Sequence, residues 1–249
     1  MAKSLTSENL HQVFSYPFQD SKWLEKFLIG SLLFLASIFF LPTFLVYGYL
    51  AEVMRLAIEG RELALPAWDD WEKKFTDGAK LFLVGLIASF PFIFLFVLGY
   101  LFVLAGAIGT DLVDFSSDVT SPFWVLFPML GSFGGLALFG LSTILGLIVG
   151  LLVSAMIAHV VATDDISAAF RIKEWWEIFR ANTSGFIITY LLTFGLMTAV
   201  NIVSQVLYMT IVGCCIVPFL LLPAMFYIMI VISVLFGQAY KEGVQNLQT

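Results

Sequence analysis

Between Leu81 and Ile108, and again between Phe133 and Ala162, the chain runs without a single Asp, Glu, Lys or Arg. Two further uncharged stretches follow, Thr183–Met209 and Cys215–Tyr240. Each exceeds the roughly 20 apolar residues that carry a helix across a bilayer. Lipid offers backbone N–H and C=O groups no partner, so such a segment must satisfy them internally, as a helix does. This feature restricts the chain to an all-α integral membrane protein. Composition agrees, because 12% of residues are charged where a soluble domain carries about a quarter.

The positive charges then give a topology. Lys3, Lys22 and Lys26 precede the first apolar stretch. Arg55, Arg61, Lys73, Lys74 and Lys80 precede the second, Arg171, Lys173 and Arg180 the third, and Lys241 closes the last. Cytoplasmic loops carry the excess of Lys and Arg, so all four groups are expected on the cytoplasmic side. The loop GTDLVDFSSDVTSP, with Asp111, Asp114 and Asp118 and no basic residue, then faces the other way. The stretch from Lys26 to Arg55 contains Pro42. As one kinked span it would strand Lys3, Lys22 and Lys26 outside. The favoured alternative is a short hairpin, 24–40 across and 43–60 back, turning at Leu41-Pro42. The expectation is a single membrane domain over 1–249, a bundle of about six membrane helices in three hairpins, with both termini cytoplasmic. The hairpins cover 24–60, 81–162 and 183–241.

A short aromatic and charged segment stands before each hairpin: DSKWLEKF, WDDWEKKF and KEWWEIFR. Residues 1–23 read as an N-terminal interfacial segment, 66–80 and 164–181 as interfacial amphipathic helices. In the last two, Trp68, Trp71 and Phe75, then Trp175, Trp176 and Phe179, form an apolar stripe opposite charged neighbours. Trp23, Trp68, Trp71, Trp175 and Trp176 are the expected headgroup-level anchors. Thr163 or Asp164 can cap the second of these helices. Residues 122–130, with two prolines, read as an interfacial turn. The first 22 residues lack the apolar core and cleavage site of a signal peptide, so insertion is expected to rely on the first apolar stretch.

Residues able to carry chemistry are few. Ser142, Gly146, Gly150, Ser154, Ala158 and Ala162 recur every fourth position. Small residues in that register let a second helix approach closely, either a partner's or one of this chain's own. Asn201 and Gln205, with Ser204 between them, are the polar groups inside the fifth span, suited to interhelical hydrogen bonds. His159 is a conceivable haem or chlorophyll ligand, although a single histidine near an interface more often hydrogen-bonds. Asp69-Asp70 and Asp164-Asp165 are adjacent carboxylates that diverge on a helix. The cysteines, Cys214 and Cys215, are neighbours and suit neither a disulfide nor a zinc site. No nucleophile elbow, phosphate loop or metal cluster is present in the sequence. No enzyme activity, cofactor or metal is expected. The net charge of −6 argues against nucleic acid as a partner.

Taken together, YPFQDSKWLEKFLIGSLL, LPTFLVYGYLAEVMR, LPAWDDWEKKFTDGAKLF, AAFRIKEWWEIFRAN and the closing FGQAYKEG resemble the uncharacterised prokaryotic membrane family called domain of unknown function 4013. The resemblance covers most of the chain and implies an all-helical membrane bundle in a prokaryotic cell membrane. It assigns no functional residue. The plan is also similar to the membrane part of some glycerophosphodiester phosphodiesterases, without room for their catalytic domain.

The functional expectation is a non-catalytic accessory, scaffold or assembly subunit, with the bilayer and other membrane subunits as partners. The alternatives are a small-molecule or ion transporter lined by Asn201, Ser204 and Gln205, with helix breaks at Pro91 and Pro218, and a lipid- or pigment-binding membrane protein.

Overall fold

A computed structural model of the chain describes residues 7–61, 64–115 and 122–248. Among the described residues eight α-helices follow one another: α1 (Ser7–Ser15), α2 (Trp23–Ala36), α3 (Leu41–Glu59), α4 (Trp71–Phe115), α5 (Pro122–Thr163), α6 (Ile172–Ala181), α7 (Thr183–Tyr208) and α8 (Ile211–Gln248). Among the described residues there is no strand. Five segments among the described residues are long and apolar enough to cross a membrane: Leu41–Glu59, Trp71–Gly109, Pro128–Thr163, Thr183–Tyr208 and Phe219–Gln248. These fit a multi-pass membrane protein.

The first apolar stretch breaks where its proline suggested. A single 3₁₀ turn, Ser37–Phe39, ends at Phe40, whose φ of 69° lies in the left-handed region. α3 then starts with Pro42 in its first turn, where a missing N–H costs nothing. α2 packs against both α3 and α8. With 14 residues, α2 falls short of the length that crosses a bilayer.

Two compact units make up the chain, the described residues of Met1–Gly85 with Leu151–Thr249, and Leu86–Gly150. The first is organised around α8, which packs against α1, α2, α3, α6 and α7. Its core sets Tyr49, Leu50 and Val53 of α3 and Phe27 of α2 against Phe226, Ile230, Val234 and Leu235 of α8. An aromatic layer continues this core, with Tyr49 stacked on Trp68 at 4.2 Å and Phe27 edge-on to Phe226. Where α3 meets α4, two glycines remove the side chains that would keep the helices apart. A Cβ on Gly48 would lie 1.8 Å from the Lys74 carbonyl oxygen, and one on Gly78 would lie 1.7 Å from that of Phe44. Gly60 ends α3 at φ 69°, a conformation only glycine adopts without strain.

The second unit is the antiparallel pairing of residues 86–115 of α4 with residues 122–150 of α5. Gly99 and Gly106 of α4 face Gly135 and Gly131 of α5 so closely that a Cβ on Gly135 would stand 2.7 Å from the Gly99 carbonyl. Phe96 packs edge-on against Phe139 in the same seam.

Three local expectations change. The helix expected over 66–80 is not separate: α4 runs unbroken from Trp71. The helix runs on through Pro91, where a break was expected, and its polar first turns merge into the apolar span. Pro122 likewise opens α5 rather than a turn, and Pro128 lies within that helix. Asp165, not Asp164 or Thr163, caps the turn after α5, its carboxylate accepting from the Ser167 N–H at 2.9 Å. The acidic stretch around Asp118 lies outside the described residues, as do the side chains of Asp111, Asp114, Cys214, Cys215 and Pro218.

Candidate functional site

The charged residues of the first unit gather at one end of its helices. α3 contributes Glu52 and Arg55 from its last two turns. α4 contributes Lys74, Asp77 and Lys80 from its first turns, and Asp164 follows α5. Arg55 Nη2 sits 3.1 Å from Asp77 Oδ2 and 3.5 Å from Asp164 Oδ1. Lys80 Nζ lies 3.3 Å from Asp164 and 3.5 Å from Asp77. Two cations and two carboxylates therefore alternate around a void of about 10 Å³, which Ala51 and Val160 also line. That space suits a single water. Arg55 Nε also donates to the Val161 carbonyl at 3.4 Å, closing an otherwise unfilled helix end.

Beside this square, Lys74 is buried, 3% exposed. Its ammonium lies 2.8 Å from Glu52 Oε2 and donates to the Asp69 carbonyl at 2.9 Å. Burying an ammonium is tolerable only with such compensation. Farther along the layer, His159 is 4% exposed with both ring nitrogens engaged. Nε2 is 3.1 Å from Glu174 Oε2 and Nδ1 is 2.8 Å from the Tyr240 hydroxyl. A carboxylate can only accept, so Nε2 carries the proton and Nδ1 accepts from Tyr240. His159 thus joins α5, α6 and α8, and no ring nitrogen is free for a metal. Asn182 closes the layer, donating to the Ala239 carbonyl at 2.9 Å and to Glu242 at 3.2 Å, while its own carbonyl caps α7 at Gly185.

The N-terminal segment joins the same end. Lys26 Nζ donates to Asp20 and to the Leu65 carbonyl, each at 2.6 Å, and the Trp68 indole donates to the Lys26 carbonyl at 2.9 Å. Hydrogen bonds from the Lys26 ammonium and then the Lys22 N–H hold the Asp20 carboxyl below its usual range. The Ser167 hydroxyl, then its N–H, and Arg171 do the same for Asp165. Burial pushes the Tyr16 phenol up.

Of the residues singled out from sequence, the Trp set divides. Trp175 is buried and donates to the Ala169 carbonyl at 3.1 Å. Trp71 and Trp176 stay well exposed, while Trp23 and Trp68 pack partly buried on the core. In the small-residue series, Ser142 is buried and donates back to the Phe139 carbonyl. Gly146 faces Phe92 of α4, 3.5 Å from where its Cβ would be. Gly150 is partly buried. Ser154 bonds to the Leu151 carbonyl, Ala158 is fully buried, and Ala162 is exposed. Gln205 donates to Asn201 at 2.7 Å, and both amides lie on the exposed side of α7. Ser204 instead lines an apolar groove of about 290 Å³ between α7 and α8, with Val200, Val203, Leu207, Leu220 and Leu221. Among the described residues no three His, Cys, Asp or Glu side chains converge as a metal site.

Sequence reasoning did not single out Asp77, Tyr240 or Asn182, and it used Lys74 only as a topology charge. Their one visible signal is position, a polar residue within a turn or two of an apolar span.

The family model described as "Protein of unknown function (DUF4013)" matches residues 31–211. The chain belongs to this family. No curated protein and no solved structure matches it. The span shared with the DUF4013 family contains Glu52, Arg55, Lys74, Asp77, Lys80, His159 and Glu174. It stops at the start of α8, so Tyr240 and Glu242 lie outside it.

Proposed function

We propose that this DUF4013 protein is a non-catalytic membrane subunit, an accessory, scaffold or assembly component that works by packing its helices against other membrane proteins. The observation that carries this reading is how the polar groups of the first unit are used. Arg55, Lys74, Asp77, Lys80 and His159 each bind a group on another element, and the space between the charged ones has room for about one water. Such a layer fixes helix ends and gives a stiff platform from which the remaining faces can engage partners. In the same reading the chain crosses the cell membrane of a prokaryote as three hairpins, α2 with α3, α4 with α5 and α7 with α8. The charged layer and both termini are then cytoplasmic. α2, extended by its 3₁₀ turn, reaches only part-way across unless the bilayer thins beside it. Extraction in mild detergent followed by native gel electrophoresis tests the role: co-migration with other membrane proteins is expected, and a partner-free monomer at native expression would overturn it. Reporter fusions after Lys22 and after Asp114 should report opposite sides.

The apolar groove between α7 and α8 favours a second reading, lipid binding, since its lining suits an acyl chain. Lipid mass spectrometry of the purified protein distinguishes the two. A stoichiometric lipid lost on Val203→Trp supports the second reading, and bulk lipid unchanged by that substitution excludes it.

A further inference from the structure

The outward face of α7 differs from that of α4 in carrying two amides, Asn201 and Gln205, within an apolar span. The exposed stripe of α4 is wholly apolar, with Leu83, Phe90, Phe94 and Leu101, and lipid alone satisfies it. On α7 the exposed positions Ile188, Leu191, Gly195, Thr198, Ile202 and Gln205 alternate in spacing by three and four. Any one face of a helix has this spacing, that of α4 included (Ile87, Phe90, Phe94, Val97, Leu101), and it lets such a face meet a second helix along a seam. Nothing lies within 4 Å of where a Gly195 Cβ would be, so a second backbone can come close there. The seam points away from the groove that α7 shares with α8, which uses Val200, Val203 and Leu207.

Gln205 identifies the occupant. Its Nε2 gives one hydrogen to Asn201 and keeps a second, while its carbonyl oxygen is an acceptor that this bond does not use. An amide with one donor and one acceptor spare is complementary to its own copy. Copies of one membrane protein insert with the same orientation, so two α7 helices meeting face to face run parallel. Gly195 then meets Gly195, and Gln205 meets Gln205 across a two-fold axis. We infer that the exposed face of α7 is a homodimer interface, closed by reciprocal Gln205 amide bonds above a Gly195–Thr198 close approach. This rests on the helix-packing reading above and names a second copy of this chain as one of the partners.

The test uses the full chain in lipid vesicles, with Cys214→Ser and Cys215→Ser as background. Single cysteines at Thr198 and Ile202 should give disulfide-linked homodimers on mild oxidation. Val203→Cys, exposed on the same helix but turned to the groove, should not. Energy transfer between labelled copies, followed on dilution with lipid, should show Gln205→Leu weakening association about 3- to 30-fold, the range of one or two interhelical polar bonds. Gln205→Asn should recover part of that loss. Cross-links equal at 203, a monomer at every dilution, or no change with Gln205→Leu would overturn the inference. If Thr198→Cys in native membranes cross-links to a different protein, the homodimer fails while the subunit reading stands. A self-dimer that carries no other protein does the reverse.

Discussion

The pairing of Lys74 with Glu52 predicts a strongly asymmetric response to mutation. The Lys74 side chain is 4% exposed, its partner carboxylate 39%, and Asp69, the other carboxylate within reach, 75%. Glu52→Leu leaves a buried ammonium with the Asp69 carbonyl at 2.9 Å and a solvated carboxylate at 3.5 Å. Removing one partner of a fully buried pair costs about 3–5 kcal/mol. The surviving Asp69 contacts reduce this, to about 2–4 kcal/mol. Lys74→Met removes the buried charge, keeps the volume, and leaves Glu52 at a surface where water can hydrate it. Replacement of a buried charge by a well-packed apolar side chain is near neutral, so about 1 kcal/mol or less is expected. The double variant should resemble Lys74→Met, because nothing charged is then stranded. Equilibrium unfolding in mixed detergent micelles, followed by circular dichroism, measures all three as a double-mutant cycle. A double variant as unstable as Glu52→Leu alone would refute the reasoning, since it would show that the buried ammonium is not what the carboxylate compensates.

Three further outcomes are expected. Gly48→Ala, whose new methyl would sit 1.8 Å from a carbonyl oxygen, should destabilise by about 2 kcal/mol or more through forced separation of α3 and α4; Gly85→Ala, with open space around it, should stabilise by up to about 1 kcal/mol. Tyr240→Phe removes the donor to His159 Nδ1 and should cost about 1–3 kcal/mol in the same assay, with the fold unchanged by circular dichroism. The Asp20 carboxyl is held below its usual 3.8, so its contribution is fully present above that value and fades as pH falls through the lower folded value. Asp20→Asn should therefore flatten the acid limb of stability below about pH 4, and an unchanged limb would count against the Lys26 link.

Uncharged length settled the secondary structure from sequence alone, because lipid leaves a spanning backbone one economical solution. The break beside Pro42 was legible for a similar reason, since proline marks where a helix can begin and a preceding turn can end. The Trp-rich segments showed their amphipathic pattern, but not that α4 would absorb the middle one into a single helix, because the start of a continuous helix leaves no mark in periodicity. The site was far less legible. Arg55, Asp77 and Asp164 are distant in sequence and come together only when three helix ends are packed side by side. His159 looked like a lone imidazole until Tyr240 and Glu174, from two other elements, filled both its nitrogens. For Asn201 and Gln205 the i,i+4 spacing made their mutual contact legible, while their orientation away from α8 depends on which stripe of α7 the rest of the fold covers. Local composition decides what a segment must be in a bilayer; only tertiary packing decides which polar groups find each other and which face is left for a partner.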